Sequence, residues 1–169
     1  IMITGAGGSI GSELVRQILN GSPSKVILFE ISEYNLYKIQ SEALKLASAS
    51  KAHIDIVGIL GDVKSTTRLR EVIIRHNIDV IYHAAAYKHV PMMEKNPLSA
   101  ISNNIIGTLN LLELTQKYIS QKFIFISTDK AINPLDVFNE VYKRDLNKLD
   151  KQNFIMFIVV LFFLISWTK

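Results

Sequence analysis

Ser127-Thr128-Asp129-Lys130 sets hydroxyls, a carboxylate and an amine in four consecutive residues. Such a set can polarise a substrate hydroxyl, donate a proton and remove one; a polar turn is the plain alternative. A second stretch, Gly5-Ala6-Gly7-Gly8-Ser9-Ile10-Gly11, has the composition of a ligand cradle. Glycines at 5, 8 and 11 let the backbone turn tightly and approach a pyrophosphate. Ser9 and Ile10 then lead into a helix whose positive end and open N–H groups suit phosphate. A glycine run is weak evidence alone, but this one lies between an apolar strand and an amphipathic helix.

Other candidates recur at strand ends. Glu30 closes the apolar run Lys25-Val26-Ile27-Leu28-Phe29. A carboxylate there can accept both ribose hydroxyls of a dinucleotide and repel a 2′-phosphate, which favours NAD and leaves NADP as the second choice; the alternative is a solvated strand-end acid. Asp62-Val63 can meet the adenine amino group, or Asp62 can cap a helix. Ala84-Ala85-Ala86 offers small side chains where a cofactor needs close backbone approach, or simply begins a turn or helix. His83 and His89 read as hydrogen-bonded scaffold, and no metal-ligand spacing joins them.

Alternating strands and helices must position these groups. Hydrophobic patterning predicts strands at Lys25–Glu30, Ile54–Ile59, Asp79–Ala84 and Lys122–Ser127 after the opening strand. Helices are predicted over Glu33–Ala47, with Leu36, Ile39, Ala43 and Leu44 on one face, over Thr66–Arg75, and over a long stretch from Leu98 to Ile119. Strands apolar on both faces, alternating with amphipathic helices, imply an α/β fold: a doubly wound parallel sheet of the Rossmann, NAD(P)-binding type. Ligands bind at the carboxyl edge of such a sheet, and the candidates fall there.

At 169 residues, 49% of them hydrophobic, the chain can bury one domain's core. It has no cysteine, which excludes disulfides and thiolate metal sites and fits a reducing, cytoplasmic setting. The net charge of +4 is scattered rather than gathered into a stripe, so nucleic acid is not an expected partner. No signal peptide is visible, and Ile1 already lies in a strand pattern, so upstream sequence is expected.

These motifs, taken together in order, resemble the extended short-chain dehydrogenase/reductase superfamily. Within it they resemble the CapD-like nucleotide-sugar 4,6-dehydratases and epimerases of bacterial polysaccharide biosynthesis. The likeness rests on Thr4 to Glu13, Ser32-Glu33-Tyr34-Asn35-Leu36-Tyr37, Gly61-Asp62-Val63, His83 to Pro91, Asn103-Asn104-Ile105-Ile106-Gly107-Thr108 and Ser127 to Pro134. It implies a tightly held nicotinamide cofactor and a UDP-linked amino sugar such as UDP-N-acetylglucosamine. It also implies roles: Thr128 hydrogen-bonds the C4 oxygen, Asp129 protonates the departing C6 hydroxyl, and Lys130 takes the C5 proton. Lys88 and Asn104 match residues lining the nicotinamide end, and helix 98–119 matches one used in subunit contacts. Full-length relatives are often anchored in the inner membrane.

The likeness covers residues 1–137, the expected dinucleotide-binding domain. The family's Tyr-x-x-x-Lys pair, in which some members carry Met, is replaced here by Phe138 and Tyr142, with Lys143 one residue late. Residues 138–169 form a divergent tail with an apolar segment at 154–165. That segment is short for a membrane span of about 20 residues, although Trp167 and Lys169 suit an interface. It reads alternatively as a sixth strand with some core, or as the product of a frameshift or early stop, which the abruptness of the change favours. Two expectations follow: an active nucleotide-sugar enzyme, or a truncated relic that binds NAD(P) or pairs with a full-length homologue.

Overall fold

A computed structural model describes residues 1–50, 53–119 and 122–126. The expectations placed on Ser127, Thr128, Asp129, Lys130 and the tail 138–169 lie outside those residues. Five strands, β1 (Met2–Thr4), β2 (Lys25–Glu30), β3 (Asp55–Leu60), β4 (Val80–His83) and β5 (Lys122–Phe125), form one sheet in the order β3-β2-β1-β4-β5. Every pairing is parallel. The chain winds outward from β1 through β2 to β3, then crosses back to place β4 on the other side of β1. This α/β, Rossmann-type order puts the topological switch point between β1 and β4, where such sheets bind ligands.

Period-two alternation divides the strand residues between two cores. Ile3, Val26, Leu28 and Ile56 face α1 (Ser9–Asn20) and α2 (Glu33–Ala49). Met2, Ile27, Phe29, Ile81, Phe123 and Phe125 face α3 (Thr66–His76) and α6 (Gly107–Tyr118). Arg16 of α1 reaches Glu42 of α2 at 2.6 Å, closing the outer edge of the first helical layer.

Three local expectations need correction. On α2 the buried face is Leu36, Ile39 and Ala43, while Leu44 is exposed; at about 100° per residue it falls well off the line those three make. The loop after β4 contains an unforeseen short helix, α4 (Val90–Lys95), with Pro91 in its first turn, where the missing N–H costs nothing. The stretch expected as one helix is composite: α5 (Pro97–Ala100), a π-helical turn (Ile101–Ile106) and α6. The π-helical turn coincides with Asn103 and Asn104, whose side chains are bonded to the neighbouring loop.

Candidate functional site

A cleft opens at the carboxyl edge over the switch point. Its walls come from the β1–α1 turn (Gly5, Gly8), the end of β2 (Phe29, Glu30, Ile31), the β3–α3 loop (Gly61, Asp62, Val63) and the β4 loop (Ala84 to Tyr87), with Asn35 of α2 and Asn103 of the π-helical turn.

The glycine turn is shaped by backbone crowding. Gly5 has φ +66°, the left-handed region that favours glycine, and a Cβ there would stand 2.8 Å from Ala84 O and Ala85 N. A Cβ on Gly11 would collide with the backbone of Gly5 itself. Gly7, which sequence reading passed over, is equally confined: its Cβ would meet Asn35 at 2.6 Å. The Gly7-Gly8 doublet was the only signal for it. Gly8 is the N-cap of α1 and provides no side-chain bond to the first turn, whereas Ser32 Oγ accepts from Asn35 N on α2 and Ser65 Oγ from Arg68 N on α3. The α1 N-terminus, carrying Ser9 and Ile10, therefore meets the cleft with its partial positive charge uncovered by a cap.

Glu30 is buried, 6% exposed, yet its carboxylate is not orphaned. Oε2 accepts from Gly7 N at 2.9 Å, and Oε1 accepts from Ile31 N and Ser32 N at 3.0 Å each. It therefore ties the glycine turn to the end of β2, and about one of the four acceptor positions of a carboxylate remains. Glu30→Gln would turn an amide N–H₂ toward a backbone N–H. The expected cost is about 1.5–3 kcal/mol, the range for hydrogen bonds to charged groups, read as a lower urea midpoint.

Asp62 binds its own loop: Oδ1 accepts from Lys64 N at 2.9 Å and Oδ2 pairs with Lys64 Nζ at 3.0 Å. The cap of α3 is Ser65, not Asp62. Val63 is buried beneath the loop against Gly107.

The β4 loop is held by asparagines. Asn104 Oδ1 accepts from Tyr87 N and Asn104 Nδ2 donates to Tyr87 O, both at 2.9 Å, so its amide satisfies both backbone groups of one residue. Asn103 Nδ2 donates to Ala85 O at 3.2 Å. Asn103, missed in the sequence, lines the cleft; Asn104 holds the wall from behind, and Lys88 is exposed outside the lining.

Beneath the cleft, His83 is fully buried and joins three elements. Thr108 Oγ1 donates to Asn104 O at 2.7 Å, so it accepts from His83 Nε2 at 2.9 Å. That leaves His83 Nδ1 to accept from Thr4 Oγ1 at 2.6 Å. Burial pushes the His83 pKa down to about 3, so the ring is neutral at physiological pH. Ile126 N donates to His83 O at 3.0 Å, so the described part of the chain ends at this same edge.

Among the described residues no helix is long and apolar enough to cross a membrane. The chain is 46% identical over 137 residues to a capsular polysaccharide biosynthesis protein, CapD, of Staphylococcus aureus, covering 81% of this chain and 22% of that protein. It is 34% identical over 139 residues to a UDP-N-acetylglucosamine 4,6-dehydratase (inverting) of Campylobacter jejuni, covering 82% of this chain and 39% of that one. Among solved structures it superposes on DesIV, a dTDP-glucose 4,6-dehydratase of Streptomyces venezuelae solved with NAD and TYD bound. The TM-score there is 0.62, at 26% identity, over 80% of this chain and 41% of the other. The chain thus spans between about a fifth and two fifths of the length of these relatives. The family model described as "Polysaccharide biosynthesis protein" matches residues 1–158, and with the Rossmann-type sheet and its edge cleft the chain belongs to that family of nucleotide-sugar dehydratases and epimerases.

Proposed function

We propose that this chain supplies the NAD-binding part of a nucleotide-sugar 4,6-dehydratase or 4-epimerase, acting on a UDP-N-acetylglucosamine-type substrate. The observation that carries this reading is the joint arrangement of the confined glycines, the uncapped α1 N-terminus and buried Glu30 around one cleft. The residues fit a dinucleotide: with no Cβ at Gly5 and Gly11, the turn packs directly on the backbone of the β4 loop and of α1, which keeps it tight at the cleft. The backbone N–H groups after Gly8 are free of a side-chain cap to meet a pyrophosphate. A bound nicotinamide supplies a reversible hydride acceptor.

The chain's own residues do the rest. Gly5, Gly8, Ser9, Ile10 and Gly11 hold the pyrophosphate through backbone. Glu30 receives the adenine ribose with its remaining acceptor position and repels a 2′-phosphate, which favours NAD over NADP. Asp62 and Val63 receive the adenine, Asp62 by accepting from its 6-amino group. Ala84, Ala85 and Ala86 admit the dinucleotide closely, and Asn104 and Lys88 shape the nicotinamide end. Thr128 hydrogen-bonds the C4 oxygen of the sugar, Asp129 protonates the departing C6 hydroxyl, and Lys130 takes the C5 proton. Support for these three roles is their match to the family's motif and the position of Ile126 beside His83, immediately before Ser127. Residues 98–119 are proposed to meet a second subunit.

Native mass spectrometry of the purified chain, followed by incubation with UDP-N-acetylglucosamine, tests the reading. Bound NAD is expected, together with either loss of one water from the sugar nucleotide or its conversion to the C4 epimer, read by mass and by NMR of the product. Bound NAD with neither change reduces the proposal to a binding module, and no bound NAD removes it.

A further inference from the structure

We infer that Asn110 is a positioning residue for adenine recognition, acting through the β3–α3 loop. The inference rests on the proposed NAD cleft and adds to it a determinant of base specificity that touches no cofactor atom. Asn110 lies on α6, outside the cleft lining. Its Nδ2 donates to two successive backbone carbonyls of the β3–α3 loop, Lys64 O at 3.1 Å and Val63 O at 3.4 Å. Those two residues directly follow Asp62, whose Oδ1 accepts from Lys64 N at 2.9 Å and whose Oδ2 pairs with Lys64 Nζ. Wherever Lys64 backbone is held, the Asp62 carboxylate is held with it.

The contact could not form if α6 stood further off. One turn before Asn110, Gly107 faces the same loop, and a Cβ there would lie 2.7 Å from Val63 Cγ2. Bare backbone at Gly107 lets the helix approach closely enough for the short Asn110 side chain to span to the carbonyls. Helix spacing of three residues puts Gly107 and Asn110 on one face. Without the Asn110 donor the loop keeps its covalent ends and the Ser65 cap, but the orientation of Asp62 toward the base is no longer imposed by α6.

The test compares binding of NAD and of nicotinamide hypoxanthine dinucleotide, whose base carries an oxygen in place of the adenine 6-amino group. Wild type, Asn110→Leu (similar shape, no donor) and Asn110→Ala are titrated with both. Wild type is expected to prefer NAD by about tenfold, the value of one well-placed hydrogen bond, and both variants to bring the ratio close to one. Asn110→Gln, which keeps the donor, is expected to recover part of the preference. Equal weakening of both dinucleotides, or an unchanged ratio, overturns the inference and leaves the NAD site standing. Absence of NAD binding by wild type overturns both. If Asn110→Leu does not fold, the ratio in Asn110→Ala decides alone.

Discussion

Acidification from pH 7 toward pH 3 is expected to remove about 5 kcal/mol of folded stability through His83 alone, at about 1.4 kcal/mol per pH unit. In the unfolded chain this imidazole takes a proton near pH 6.5, and in the folded protein only near pH 3. Between those values the unfolded state binds more protons, so the contribution is complete above pH 6.5 and is lost as pH falls toward 3. That is comparable to the whole stability of a small domain, about 5–15 kcal/mol. The cause is local: the ring is fully buried against Phe123 and Phe125, and a charge there would lose its hydration.

The check is urea unfolding at pH 7, 5.5 and 4 for wild type and His83→Phe, which preserves the ring packing. The variant should be weaker at pH 7, because Thr4 loses its acceptor, but should lose much less on acidification. The carboxyls of Glu42 and Glu71 are held below their ordinary range by hydrogen bonds from Arg16 and Arg68. Their contribution is lost below about pH 4.5 and is common to both proteins. Parallel curves for the two would refute the assignment to His83.

Gly11→Ala is expected to disable the cleft. The added Cβ meets backbone of Gly5 and Ala6, with Ala6 Cα at 3.0 Å, and none of these atoms can rotate away. Relief requires α1 to move off the end of β1, carrying the N–H groups of its first turn with it. The stability cost of such overpacking is about 1–3 kcal/mol or more, and dinucleotide affinity should fall by about a hundredfold, the equivalent of two hydrogen bonds. Gly8→Ala is the internal comparison. Its Cβ would lie 3.3 Å from Gly5 O, a contact relieved by a few tenths of an ångström, so stability should change little. Calorimetric titration with NAD and thermal melts of both variants decide the matter; similar losses in the two would mean that backbone proximity is not what the glycines provide.

This ranking of the glycines marks the boundary between sequence and structure. In the sequence, positions 5, 8 and 11 are equivalent members of a spaced run, and Gly7 is filler. Nothing local separates them, because what confines Gly5 is Ala84 and Ala85 and what confines Gly7 is Asn35, residues brought there by strand pairing and by α2. Glu30 divides in the same way. Its place at the end of an apolar run was legible, whereas its three backbone donors depend on how the turn after β1 folds beside β2. Asn104, matched to the nicotinamide end by resemblance, bonds both backbone groups of Tyr87 through its amide, while its neighbour Asn103 lines the cleft.

By itself the sequence determined the alternation of strands and helices, the parallel sheet, its ligand edge and the family. Those follow from hydrophobic period and from residues whose backbone demands are intrinsic, and both are properties of short segments. Tertiary structure alone decided which groups of the cleft are free and which are already bonded. Hydrogen-bond partners 17 to 79 residues apart, such as Tyr87 with Asn104 and Thr4 with His83, meet only once β1 has paired with β4 and the π-helical turn has packed on the β4 loop. No local pattern encodes those encounters, because they depend on the distance between elements rather than on the preferences of any one of them.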